Sequence, residues 1–355
     1  MRHLPVGRLL AWRSRYRCRP ATIASVGAAS VGEDVVLAEV IRGGCVESTH
    51  RGSAVVVDAD GDVLASWGDP GRRILPRSSL KPAQASAMVR SGLDLDDHLL
   101  ALAAASHSGE TFHRESVQSL LDEAGIDADM LGNPSDLPYG MRAREEFLAA
   151  GRVRSKIAMN CSGKHAAMLI TTARHGWSIP DYVDPEHPLQ RLIREEISVL
   201  AGEQPWTVTV DGCGAPLFGL SLTGLARLGS QVVTAPPGSP PRQVADAMRA
   251  NPIWVAGTDR DSAALMGGVP GLLAKEGAEG VYLVALADGR SLALKISDGA
   301  DRARAPIAAA ILAHLGVEAD VVTTQRTTAV LGGGRPVGTL RAILDDDAEP
   351  GGHAN

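Results

Sequence analysis

Lysine is the charged residue this chain has least of: of 35 basic side chains only five are lysine, Lys81, Lys156, Lys164, Lys275 and Lys295. Cysteine is nearly as sparse, and Cys18, Cys45, Cys161 and Cys213 are too few and too scattered for a disulfide framework, which fits a reducing cytoplasm. Also missing is any apolar run near the roughly 20 residues that cross a bilayer, so the chain is not expected to span a membrane. Nor is there an excess of positive charge. The formal net charge of -6 and a pI near 5.9 leave no electrostatic footprint for nucleic acid or an anionic membrane, and point to a small-molecule substrate.

The lysine shortage carries information because of where the few lysines stand. A coding bias toward Arg, Ala, Gly and Pro explains the scarcity but not the placement. Arginine can supply any surface charge, yet it stays protonated in proteins, whereas a buried lysine can lose its proton and serve as a general base. Four of the five sit in polar or glycine-rich segments, or in an apolar strand, beside candidate chemical groups.

With 355 residues, 45% of them hydrophobic and 21% charged, the chain can bury a sizeable core. Residues 1–32 carry Arg2, Arg8, Arg13, Arg15, Arg17 and Arg19 with no acidic residue before Glu33. They read as a disordered basic leader or a start codon placed too far upstream; an organelle transit peptide is the other reading of such a composition. Residues 345–355 read as a disordered acidic tail. One catalytic domain is expected over 33–344.

Within it, Val35–Glu39 and Ala54–Val57 are β-branched runs, and Asp60-Gly61 before Val63-Leu64 signals a hairpin. A second hairpin is expected at Asp288-Gly289, between Val281–Leu286 and Ser291–Ile296. Helical periodicity covers about Pro82–Gly92, Asp96–Ala105, Glu110–Gly125, Lys164–His175, Pro188–Leu200, Gln243–Ala250 and Ile307–Leu315. Strands at both ends around a helical middle predict an α+β sandwich, mainly antiparallel sheet with helices packed on it. The proline-rich stretch Ala235–Pro241 reads as a surface loop or a boundary between lobes.

Several segments carry chemistry. In Arg77-Ser78-Ser79-Leu80-Lys81-Pro82 the proline restricts the helix start to about Ser78–Lys81, and the Ser-x-x-Lys spacing lets Ser78 and Lys81 share a face. A desolvated lysine one turn away can take the hydroxyl proton; a helix cap at Ser78 or Ser79 is the simpler account of the motif alone. Ala105-Ser106-His107-Ser108-Gly109-Glu110 suits a second polar site or, more plainly, a capping turn. Asn160-Cys161-Ser162-Gly163-Lys164-His165 crowds a thiol, an amine and an imidazole at a helix start, where the dipole lowers a thiol pKa. A catalytic cysteine, a metal ligand set and a buried structural cysteine all fit. Asp211-Gly212-Cys213-Gly214 follows the strand-like Trp206–Val210, so Cys213 could join Cys161 on one metal. Lys275 lies in the glycine-rich Gly271–Gly280, read as a loop, as a second base or in a solvated turn. Lys295 is alone in an apolar strand and must be paired, snorkelled or functional; Lys156 reads as surface.

These segments, in this order and together with Glu47-Ser48-Thr49-His50-Arg51, resemble the Rhizobium etli type of L-asparaginase, the asparaginase II family, over roughly Val35–Asp298. The resemblance implies a fold similar to serine β-lactamases and glutaminases, a homodimer, and hydrolysis of L-asparagine to L-aspartate and ammonia. It places Ser78 as nucleophile with Lys81 as its base, and Ser106 with Lys275 as the assisting pair. It implies one zinc ion on Cys161, Lys164 and Cys213, not required for the serine chemistry, with His165 and Asp211 as substrate-binding neighbours. Arg77, His50 and Arg51 are the candidates for the substrate carboxylate. Two departures bear on substrate preference: Leu131-Gly132-Asn133-Pro134-Ser135-Asp136 stands where relatives have Cys-Gly-x-His-x-Pro, and Ser262 where some have cysteine. The other readings are the same fold acting on glutamine, a lactam or a peptide, and a non-catalytic protein stapled by a metal.

Overall fold

β-Branched residues build β1 (Val35–Arg42) and the inner half of β2 (Cys45–Val57), as their preference for a pleated, half-buried surface requires. Asp58 and Asp62 close the turn from β2 to β3 (Val63–Trp67) with Gly61 at φ 87°. The computed structural model describes residues 33–344; the expected leader 1–32 and tail 345–355 lie outside the described residues. Three short strands follow, β4 (Arg73–Ile74), β5 (Thr207–Val210) and β6 (Pro216–Ser221). Then come β7 (Leu273–Gly277), β8 (Val281–Ala285) and β9 (Ser291–Ile296), with Gly289 at φ 93° in the second expected hairpin, and finally β10 (Thr327–Gly332) and β11 (Arg335–Ala342).

The main sheet runs β10-β11-β1-β2-β9-β8-β7, with β3 added to β2, and a small sheet runs β4-β6-β5. Every pairing is antiparallel. The outer half of β2 pairs with β1, while Ala54–Val57 lie between β3 and β9 and are wholly buried. At the crossover Gly52 lets the strands close up, since a Cβ there would press on the Lys295 carbonyl and lie 3.1 Å from Ile296 Cα.

Helices cover the sheet. Leu222–Thr234 packs on β2, β8 and β9, and Arg304–His314 packs on β1, β8, β9 and β11. Lys81–Arg90 packs between Pro188–Ala201 and Pro240–Ala250, and Ser162–Arg174 lies against Asp97–Ala103 and Thr111–Glu123. The α+β architecture is the expected one. Among the described residues no helix is long and apolar enough to cross a membrane.

Three differences from the sequence reading have physical causes. The Lys275 segment is not a loop but β7, all five of its residues buried. Leu222–Thr234 escaped notice because Gly224 and Gly229 interrupt its apolar pattern; Gly229 is needed where the helix meets β8, since a Cβ would lie 2.6 Å from Leu283 Cδ1. The β10–β11 hairpin is largely exposed and its Thr-rich outer strand shows no apolar alternation. Ala235–Pro241 proves to be a short turn into the helix Pro240–Ala250.

Leu283 is wholly buried beneath the helix Leu222–Thr234, so Leu283→Ala should cost about 2–5 kcal/mol. Val199, 68% exposed, should tolerate Val199→Ala within about 0.5 kcal/mol. Equal denaturation midpoints for the two variants would contradict this layer arrangement.

Candidate active site

Three of the five lysines are almost completely buried: Lys81 and Lys164 at 1% exposure and Lys275 at 0%. Lysine is almost never buried to this extent unless paired, and each has its partners. Lys81 Nζ donates to Ser106 Oγ at 2.9 Å, to Cys161 Sγ at 3.1 Å and to the Ala105 carbonyl. Lys275 Nζ donates to the same Ser106 Oγ at 3.0 Å and to the Glu276 carbonyl at 2.9 Å. One hydroxyl thus stands between two amines.

Several elements converge to make this arrangement. A 3₁₀ turn, Arg77–Leu80, runs into the helix at Lys81 and packs on β7, which carries Lys275. Ser106 follows the helix Asp97–Ala103 in an extended segment pinned from both sides: Ser106 N donates to Val255 O at 3.0 Å, His107 N to Asn160 O at 3.0 Å and Ser108 N to Ala256 O at 2.6 Å. The capping readings do not hold. Ser79 Oγ bonds the Pro76 carbonyl at 2.7 Å, no side chain caps the turn or the helix, and Glu110 bonds Thr258 instead of capping its own helix.

Ser78 and Ser106 line one cavity of about 70 Å³, with Tyr139, Asn160, Gly277 and Ala278 and the charged side chains of Arg260, Glu276, Asp301 and Arg304. Among the described residues no hydrogen bond engages the Ser78 hydroxyl, and none joins it to Lys81; Lys81 is turned to Ser106. Arg77, just before Ser78, has the left-handed φ of 56°, a conformation costing of order 1–3 kcal/mol in a non-glycine residue. Its ion pair with Asp211, Nε to Oδ1 at 2.6 Å, holds it there. A larger cavity of about 700 Å³, rich in acidic side chains, shares Tyr139 and Arg260 with the small one. The Arg260 guanidinium lies 4.6 Å from the Tyr139 ring centroid between them.

Burial lowers the Lys275 amine from 10.5 to about 7, with Glu276 opposing the shift and Lys81 and Arg260 adding to it. This lysine can therefore exchange a proton near neutral pH. Burial would raise Glu276, but Lys275, Arg260 and Arg304 outweigh it and hold the carboxylate charged.

Cys161, Lys164 and Cys213 also meet. Interaction with Cys213, reinforced by burial, pushes the Cys161 thiol up, against the lowering expected at a helix start; the same interaction, with Lys164, holds Cys213 well down against the effect of burial. Lys164 Nζ lies 3.1 Å from Cys213 Sγ; burial disfavours its charge, but the two cysteines and Asp211 overcome this. Among the described residues no group of three or more His, Cys, Asp or Glu side chains is arranged to hold a metal ion. A site here would depend on Lys164 as third donor, and its amine could bind a metal only after giving up the proton that the two cysteines and Asp211 hold on it, so metal binding there would release a proton.

The remaining site candidates separate. Asp211, kept below its ordinary value by Lys164 and Arg77 against the effect of burial, adjoins the thiol cluster. His165 is buried and kept neutral chiefly by burial; its Nδ1 lies 2.6 Å from Tyr182 Oη, which itself accepts the Gly132 N–H. His50 and Arg51 are not among the residues that line the cavity: His50 is held by Asp298 at 2.7 Å and Arg302 at 3.0 Å, and Arg51 bonds the Asp34 carbonyl. Lys295 ties down the carbonyls of Glu279 and Ile296, and Lys156 that of Asp129, so both are structural. The cavity-wall residues Arg260, Glu276, Asp301 and Arg304 were missed, although Glu276 beside Lys275 in an apolar stretch was a signal.

A buried hydroxyl between two buried amines, on an antiparallel sheet covered by helices, defines a site of the serine–lysine type. The chain matches the L-asparaginase II family model over residues 38–342 and belongs to that family, which makes it a serine-type amidohydrolase acting on a small molecule. Among solved structures it is similar to a β-lactamase from Mycobacterium bovis, at 16% identity over 75% of this chain and 95% of that one, with a TM-score of 0.40. It is also similar to a hydrolase with promiscuous acyltransferase activity, at 13% identity over 75% and 88%, with a TM-score of 0.33. No curated protein matches.

The folded-state value of Lys275 lies below its ordinary one, so between about pH 7 and 10.5 the unfolded chain binds more protons and stability rises with pH. Lys275→Met removes the penalty. Its stability advantage over wild type in urea should shrink by roughly 2 kcal/mol from pH 6 to 9; a pH-independent difference would mean that Lys275 titrates normally.

Proposed function

We propose that the chain hydrolyses the side-chain amide of L-asparagine to L-aspartate and ammonia, with Ser78 as nucleophile. One observation supports this most: Ser106 Oγ lies 2.9 and 3.0 Å from two buried lysine amines, on a cavity that Ser78 shares.

Ser78 Oγ attacks the amide carbon, and its proton passes to the Lys81–Ser106–Lys275 chain, where Lys275 can hold it near neutral pH. Because Ser106 accepts a hydrogen bond from each amine, its own O–H is free to turn to the leaving nitrogen. Collapse of the tetrahedral intermediate breaks the C–N bond, releases ammonia and leaves an ester on Ser78. Water then adds to the ester carbon, returning a proton to Ser78 and freeing aspartate. A zinc ion, which the resemblance implies, would be held by Cys161, Lys164 and Cys213 and would supply a fixed positive charge and local order. The serine steps do not pass through it.

Ser106 is the alternative nucleophile, since both lysines bond it directly. Ammonia release from asparagine and glutamine, with mass spectrometry of the acylated peptide, separates the two. Ser78→Ala should lose at least about 10³-fold in rate, with the ester of wild type on the Ser78 peptide. Undiminished turnover in Ser78→Ala, or an ester on Ser106, would overturn the assignment.

Zinc analysis tests the second cluster separately. Wild type purified with zinc should retain it, and Cys161→Ser and Cys213→Ser should not; equal content in all three removes the site.

A further inference from the structure

Two buried side chains on the wall of the small cavity carry hydrogen-bonding atoms that the protein leaves unused. Glu276, 4% exposed, gives Oε1 to Arg260 Nη2 at 2.6 Å, whereas its Oε2 has no hydrogen-bond partner and stands 3.9 Å from Lys275 Nζ, beyond hydrogen-bond reach. Arg304, 5% exposed, directs Nη1 to Asp301 at 3.0 Å and Nη2 to Asp261 at 3.5 Å, and its Nε has no partner. An unsatisfied buried polar atom costs about 1–3 kcal/mol, and more when charged. The Ser262 hydroxyl adjoins the Glu276 carboxylate, but a carboxylate oxygen has room for two donors. An unused acceptor and an unused donor of opposite charge on one small cavity therefore fit an occupant that brings both kinds of group.

The charge of the wall narrows the occupant. Arg260 and Arg304 are cations and Glu276 and Asp301 anions, so the four balance. Arg260 already pairs with Glu276 and Arg304 with Asp301, so what remains is one anionic acceptor and one cationic donor, and an ion of a single sign would answer only one of them. A small zwitterion pairs with both signs at once.

We infer that Glu276 and Arg304 are specificity-determining residues, Glu276 receiving the α-ammonium and Arg304 the α-carboxylate of an amino-acid substrate, and so positioning its side-chain amide against Ser78. The placement of the amide rests on the proposed hydrolysis; recognition of the zwitterion does not. Sites built to bond a polar group reject analogues that lack it by large factors, because the protein group is then left unpaired.

The test compares kcat/KM for asparagine with that for succinamate, which lacks the ammonium, and for 3-aminopropanamide, which lacks the carboxylate. Wild type should prefer asparagine to either by at least about 10²-fold. Glu276→Gln should lose the preference over succinamate and keep that over 3-aminopropanamide; Arg304→Gln should do the reverse. Damage to Lys275 or to folding scales all three substrates together, so ratios unchanged in the variants would overturn the inference. Calorimetric binding of aspartate and succinate to wild type and Glu276→Gln gives a readout independent of turnover. Preference for aspartate in wild type, lost in Glu276→Gln, supports the inference even if no ammonia is released, in which case only the hydrolysis reading fails. Wild type that does not discriminate overturns it without recourse to any variant.

Discussion

An ammonium group cannot lie in an apolar interior without partners, and the structure is organised around three that do. Lys81 comes from a helix start, Lys275 from β7 and Lys164 from another helix start. Each finds its partners on chain segments distant in sequence: Ser106, Cys161 and Cys213. These polar contacts set how the helices seat against the sheet at this end of the core, while the aliphatic residues around them keep water from meeting the same need more simply. Removing any one partner leaves a buried group uncompensated, a larger loss than the interaction itself contributes.

Lys81 ties the two clusters into one. Its amine bonds Ser106 on one side and the Cys161 sulfur on the other, so the serine–lysine chain and the thiol pair share a hydrogen-bonding group. The charge of that amine acts on Cys161 in one cluster and on Lys275 in the other. Proximity of this kind is also why the surroundings move these groups: burial lowers Lys275, while each cysteine is shifted chiefly by the other.

Much of this arrangement was legible in the sequence, and the rest was hidden for physical reasons. Ser78, Lys81, Ser106 and Lys275 came together as a set through the family resemblance, since taken one by one a helix cap, a capping turn and a solvated turn also accounted for them; the two Asp-Gly hairpins stood out because a tight turn needs those residues. The partnership of Lys81 with Ser106 was not legible: a three-residue spacing puts Ser78 and Lys81 near each other, but packing decides where a long side chain ends. β7 looked like a loop because Gly271, Gly277 and Gly280, in and around it, mask a short strand whose residues are all buried. His50 and Arg51 suggested substrate ligands by their polarity, yet Asp298, Arg302 and Asp34 claim them, and only tertiary structure brings those partners near. Arg260 and Arg304 stand in charged runs, with nothing local in the sequence to show that they close over a cavity.

The backbone at Arg77 adopts a conformation that a non-glycine residue avoids, and the Asp211 carboxylate that restrains it also adjoins Lys164 and Cys213. The backbone leading into Ser78 is thereby tied to the neighbourhood of the thiol cluster through a single ion pair spanning 134 residues of sequence. A change of charge among those sulfurs would therefore bear on the carboxylate that restrains the backbone just before Ser78.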